Sequence, residues 1–211
     1  VGWQSILKLA KSDYLKLVPI LGLAFYTAFI PHLSYPYPIH IDDWVHLALS
    51  RAIQSAGSVN FVDPFAGAGI RTLATNLETG YQVFWGVFQQ ISGISWMTIF
   101  RYFPSVVLMI TALSAYTLAR RDGFGWAAAF FVCLIPTTIG ILGPAFMVPV
   151  AMGLLFIPLS MFTVFHQQGI SAYLVLFIFT AFLLVIHAPS AIILGIILGP
   201  YILLSLRRHT W

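Results

Sequence analysis

From Gly123 to Leu206 the chain contains no Asp, Glu, Lys or Arg. A soluble domain is about one quarter charged, so a stretch this long without charge cannot keep its surface wet. Since roughly 20 apolar residues cross one bilayer core, the stretch calls for lipid as its solvent and has room for several crossings. The whole chain agrees: of 211 residues, 60% are hydrophobic and 8% charged, with mean hydropathy +0.93. The formal net charge of +4 is no argument for nucleic acid, because basic residues in such a chain mainly set membrane orientation. Cys133 is the single cysteine, so no intrachain disulfide can form.

The apolar periodicity divides the chain into an all-α polytopic membrane protein of about six transmembrane helices. Residues 1–13 mix Trp3, Ile6, Leu7 and Leu9 with Lys8 and Lys11 and read as an interfacial segment. The first span occupies 14–33, a retained anchor with Pro19 placed near its start, where the first turn has spare N–H groups. Residues 34–95 form an outer loop far above the usual connection of about 4–6 residues. Residues 96–211 form a five-helix bundle with spans near 96–118, 125–141, 145–165, 172–186 and 190–206, kinked by prolines at 136, 149, 158 and 200. Val1 is not an initiator methionine and Trp211 follows closely on a basic pair, so the chain reads as part of a larger protein.

Within the loop, Asp42 to Ser55 reads as an amphipathic helix ended by Gly57. Val45, Ala48, Leu49 and Ala52 form its apolar face, with Asp43, His46, Ser50 and Gln54 opposite. Asn60 to Gly69 reads as turn, and Ala66-Gly67-Ala68-Gly69 lacks the Lys-Ser/Thr of a P-loop. A second helix, rich in aromatics, is expected from about Glu78 to Gln90.

Six spans put both chain ends on one side. That side holds Lys8, Lys11, Lys16, Arg120, Arg121, Arg207 and Arg208, against Arg51, Arg71 and Arg101 on the other. The bias places the N-terminus in the cytoplasm and the acidic loop outside the cell membrane. The outer side also collects Asp42, Asp43, Asp63 and Glu78, four of the six acids, together with His187.

His40-Ile41-Asp42-Asp43-Trp44-Val45-His46 is the densest polar cluster. Either Asp is a good N-cap, but capping does not explain two acids and two imidazoles together. Asp42 or Asp43 could take a proton from an acceptor hydroxyl, or the pair with His46 could hold a divalent metal. His46, three and four positions on, could orient a carboxylate or simply pack. Arg71 and Arg101 suit phosphate recognition, although Arg101 could equally snorkel. His187 is a third phosphate candidate; Asp63 and Glu78 are either solvated or part of the same site. An intramembrane transporter would place ionisable groups at mid-membrane, against the charge-free run.

The acidic cluster directly after the first span, with Glu78-Thr79-Gly80-Tyr81, Phe100-Arg101-Tyr102-Phe103-Pro104 and His187-Ala188-Pro189-Ser190, resembles the N-terminal part of GT-C membrane glycosyltransferases. These include the protein mannosyltransferases and oligosaccharyltransferase catalytic subunits. The resemblance covers the chain as topology and short motifs as sequence. It implies transfer of a sugar from a polyprenyl-phosphate donor to an acceptor on the extracytoplasmic face. Asp42 and Asp43 would be catalytic, and His46, Glu78, Arg71, Arg101 and His187 would hold substrate. A divalent cation, Mg or Mn, held by Asp42, Asp43 and His46 is the one cofactor it allows. Partners would be the lipid-linked donor, membrane lipids, and other membrane subunits or a further C-terminal part. Two other readings stand beside it: a membrane metalloenzyme built on Asp42, His46 and His40, and a non-catalytic subunit that binds a partner through the loop.

Overall fold

The structure, a computed structural model, describes residues 13–67, 69–74, 77–135, 146–167 and 169–208, with the side chains of 13 and 205–208 left aside. The described residues are mainly helical. In chain order they form α1 (Asp13–Phe29) with a 3-10 turn (Ile30–His32), then α2 (Ile41–Ala56), β1 (Asn60–Val62), β2 (Arg71–Leu73), α3 (Thr79–Ser92) and α4 (Trp96–Ala119). A second 3-10 turn (Arg120–Asp122) leads to α5 (Gly125–Cys133), α6 (Pro149–His166), α7 (Ile170–Ile186) and α8 (Ala188–Arg208).

Three helical stretches are long and apolar enough to cross a membrane: Tyr14–His32, Trp96–Asp122 and Pro149–His166. Two shorter apolar helices, Ile170–Ile186 and Ala188–Leu204, follow them. The expected interfacial segment falls almost wholly outside the described residues. So do the end of the span expected over 125–141, its proline at 136 and the joint leading to the next.

Helix α4 is the hub, packing on α1, α5 and α6, while α7 and α8 close against α6. Ala24 and Ala28 of α1 are fully buried in the cluster that includes Leu108 and Ala112 of α4 and Ala129 of α5. Small residues let backbones approach closely where lipid supplies no hydrophobic drive. Pro19 lies inside α1 rather than in its first turn, and Pro149 opens α6, where its fixed φ suits the helix and no kink results.

The sequence expectation of an all-helical chain needs one amendment. Asn60–Val62 and Arg71–Leu73 pair antiparallel, with Phe61 opposite Thr72. Phe61 is buried on one face of this ribbon while its neighbours are exposed. Alternation of a single large apolar residue over three positions is too short to stand out from turn composition.

Helices α2 and α3 lie side by side and point the same way. His46 faces Glu78 and Tyr81 at one end, Ser50 faces Gly86 in the middle, and the Gln54 side-chain amide bonds Gln89 at the other. Parallel neighbours need a connection that travels back the length of the first element. That is why a long interval separates them. Both helices end on glycines with left-handed backbone, Gly57 at φ 58° and Gly93 at φ 67°, where a side chain would be strained.

The buried face of α2 is the reverse of the expected one. Asp43, His46, Leu47, Ser50 and Ile53 are buried, whereas Val45, Ala48, Leu49 and Ala52 are only half-buried. Periodicity alone assigns polar residues to water. Here the partner helix turns Tyr81, Gln82, Trp85 and Gly86 inward, and Leu47 of α2 joins Tyr81 and Trp85 in one apolar cluster, which carries its neighbours His46 and Ser50 to the buried side.

Candidate active site

The site begins with the entry to α2. Pro36 and Pro38 precede His40, whose extended backbone (φ −104°, ψ 154°) makes it the N-cap. Its Nδ1 accepts from the Asp42 N–H at 3.2 Å and stands 3.4 Å from Asp42 Oδ2. The His40 ring lies 4.9 Å from that of Phe146.

Asp43 turns back under this entry. Its Oδ2 accepts from the backbone N–H groups of Ile39 and His40, each at 3.3 Å. Its Oδ1 accepts from the backbone N–H of Met147 at 2.8 Å. The side chain is 2% exposed. Burial raises its pKa from 3.8 to about 6, although the three N–H donors pull the other way. Loss of hydration disfavours the charged form more strongly than three donors restore it.

Asp42 is the acid left accessible. Its side chain is about one third exposed, and its charge is felt by both His46 and Glu78. His46 is buried on the α3-facing side of α2, edge-on to the fully buried Tyr81 with ring centres 5.1 Å apart. Its Nε2 is 3.9 Å from Glu78 Oε2, and its Nδ1 has no hydrogen-bond partner. Burial depresses the imidazole to about pKa 4 and the nearby Asp42 only partly restores it, so His46 is neutral at pH 7. Burial raises the Glu78 carboxyl above its usual range, and the charge of Asp42 adds to the effect. The starts of α2 and α3 thus bring Asp42, His46 and Glu78 to one corner.

The other expected residues divide. The Glu78 end of α3 seats on the end of α7: a Cβ on Gly80 would overlap the Val185 carbonyl and side chain. His187, two residues beyond Val185, is thereby brought to this corner, and its Nδ1 lies 2.7 Å from Ser190 Oγ. Arg71 is elsewhere, clasping Asn60 across the ribbon through Nε to Oδ1 at 3.3 Å and Nη2 to the carbonyl at 2.6 Å. Asp63 caps the Phe65 N–H at 2.8 Å within the ribbon's turn. Arg101 belongs to the junction of α1 and α4, where its Nη2 donates to the His32 carbonyl at 3.3 Å.

Among the described residues, no group of three or more His, Cys, Asp or Glu is placed to hold a metal. The expected trio of Asp42, Asp43 and His46 is not assembled, because both oxygens of Asp43 are turned to backbone amides. His40 likewise spends its Nδ1 on a backbone N–H, which removes one nitrogen from the Asp42–His46–His40 alternative. Of the expected trio, Asp42 keeps the more exposed carboxylate.

A cavity of about 470 Å³ lies at the opposite end of the α2–α3 pair, lined by Ile53, Gln54, Gly57, Val59, Gly86 and Gln90 among others. None of the acids lines it. The contribution of Met147 had no signal in the sequence, since it acts through its backbone N–H at a separation of 104 residues. Tyr81, one of the aromatics that suggested an interfacial helix, is instead buried beside the site, and so is Gln82. No protein-family model, curated protein or solved structure matches the chain.

Proposed function

We propose that the chain is the catalytic part of a membrane glycosyltransferase of the GT-C kind. It moves a sugar from a polyprenyl-phosphate donor to an acceptor hydroxyl at the extracytoplasmic face. The observation that carries this reading is the meeting of Asp42 and His46 with Glu78, from two amphipathic helices, beside helices long and apolar enough to span a bilayer. The proposal retains six spans and a cytoplasmic N-terminus, on the charge distribution of the sequence.

In this reading Asp42 is the general base and Asp43 a positioning residue. Asp42 takes the proton of the acceptor hydroxyl as that oxygen bonds to the sugar C1. The C1–O bond to phosphate breaks, and the electron pair leaves with the polyprenyl phosphate. Glu78, whose carboxyl burial shifts toward its neutral form, stands beside Asp42 as the second acid of the corner. Neutral His46 fixes the Glu78 end of α3 against α2. A magnesium or manganese ion, where one is bound, would rest on Asp42 and neutralise the leaving phosphate.

The test is transfer from radiolabelled polyprenyl-phosphate sugar by membranes carrying the chain. Asp42→Asn should lower turnover by about 100-fold or more, as loss of a positioned base does, and Glu78→Gln should lower it by a smaller factor. Undiminished transfer in the double variant would exclude the assignment.

A further inference from the structure

The sequence offers few cations on the loop side, and one of them is held in a defined pose without an acid. Arg101 sits in the second turn of α4, in the stretch Trp96–Asp122 that is long enough to cross a membrane. Its guanidinium carbon lies 5.6 Å from the Phe29 ring centre and 5.4 Å from that of Tyr102. Those two rings stack on each other at 5.2 Å and 16°. Among the described residues the guanidinium makes one hydrogen bond, from Nη2 to the His32 carbonyl at 3.3 Å, and its buried Nε has no partner there. No carboxylate pairs with it among the described residues, since Asp42 and Glu78 face the imidazoles of α2 and its cap.

A second orphan stands at the same corner. His32 is 1% exposed, its Nδ1 is 3.2 Å from the Tyr35 carbonyl, and its Nε2 has no partner. With Nδ1 donating to that carbonyl, Nε2 accepts from a P–OH when the ring is neutral and donates to an anionic oxygen when it is protonated. An unpaired guanidinium beside an unsatisfied imidazole is short of one anion with both acceptor and donor oxygens.

The surroundings say where that anion comes from. Arg101 and His32 lie at the ends of α4 and α1 that meet the loop. Tyr35, Tyr37 and Tyr102 are exposed around them, and tyrosines of this kind gather at the headgroup level of a bilayer. Arg there presents a fork suited to phosphate. We propose that Arg101 and His32 form a stoichiometric binding site for the phosphate group of a lipid at the membrane boundary. This does not rest on the sugar-transfer reading, because it concerns binding alone.

The chain, purified in maltoside detergent, is titrated with monododecyl phosphate and separately with inorganic phosphate, and bound equivalents are counted by native mass spectrometry. One equivalent of monododecyl phosphate is expected. Arg101→Gln should weaken it about ten-fold or more, the usual cost of a charged hydrogen-bond donor. His32→Gln should weaken it less, and Arg71→Gln should leave it unchanged. Preference for monododecyl phosphate assigns the site to a lipid, and equal binding of inorganic phosphate assigns it to the free anion. Unaltered binding in Arg101→Gln with an unchanged melting temperature overturns the proposal. If Arg101→Gln fails to fold, Arg101→Lys and His32→Gln decide it, and unaltered binding in both overturns it equally. Asp42→Asn should bind phosphate normally, which separates this site from the transfer reaction.

Discussion

The Asp43 carboxylate accepts the Met147 backbone N–H at 2.8 Å and thereby joins the start of α2 to the segment that leads into α6. Phe146, Met147 and Val148 are all buried there, so the bond is shielded from water. Its effect is to hold the Asp42 turn at a fixed height over the helical bundle.

Truncating this link tests how much it holds. Asp43→Ala leaves three backbone donors without acceptors, and each buried orphan costs about 1–3 kcal/mol. A loss of about 3 kcal/mol or more is expected in detergent unfolding. Asp43→Asn keeps one oxygen for Met147 and should lose about half as much. Equal stability of the two variants would show that the carboxylate is not the tie.

Two large contributions to the pH dependence oppose each other. The folded pKa of Asp43 is raised from 3.8 to about 6. Its neutral form therefore adds stability that is fully present below pH 4 and is lost as pH rises through 6. His46 is depressed from 6.5 to about 4, so its contribution is present above pH 6.5 and lost as pH falls through 4. Each is worth about 3 kcal/mol across nearly the same window. In the wild type these two contributions offset each other between about pH 4 and 6.5. Asp43→Asn should lose stability on acidification, and His46→Phe should gain it. Urea unfolding at pH 4.5 and 6.5 in detergent reads both signs, and parallel slopes in the two variants would contradict the assignment.

Gly80 offers a steric test. Its missing Cβ is replaced by Val185, whose carbonyl oxygen would be overlapped by a methyl group. Backbone cannot yield as a flexible side-chain tip does, so Gly80→Ala should cost about 1–3 kcal/mol and displace Glu78. Gly22, inside α1 with nothing within 4 Å of its Cβ position, is the control. Alanine there should be neutral or stabilise by up to about 1 kcal/mol. A smaller loss at position 80 than at 22 would refute the close seat.

Arg71→Ala should destabilise the ribbon by under about 1 kcal/mol, as exposed side-chain pairs do, and leave sugar transfer intact. A large fall in transfer with normal melting would return Arg71 to the substrate site.

The helices of the loop were legible because caps and periodicity are local: His40 and Gly57 bracket α2, and Gly93 closes α3. Which way α2 faces was not, because a pattern read from one helix assumes a partner that is apolar or water. Ser50 and His46 turn inward toward Tyr81, Gln82 and Gly86, a choice made by two helices together. The pairing of Arg71 with Asn60 and of Asp43 with Met147 was equally out of reach. One depends on a ribbon of three-residue strands, the other on a backbone donor that has no side-chain identity. The candidate site was legible as an acidic pair, but its composition is different: Glu78 joins Asp42, and Asp43 faces the scaffold.

The seat of Gly80 on Val185 has a mechanical consequence. Helix α7 has 17 residues, about 25 Å at 1.5 Å per residue, somewhat short of a hydrocarbon core of about 30 Å. A short helix makes up the difference by thinning the lipid around it or letting its flanks sink. Glu78 stands two residues from that seat. In the proposed six-span arrangement, a thicker membrane would therefore draw the end of α7 inward and pull Glu78 away from Asp42, making bilayer thickness a force on the acid pair.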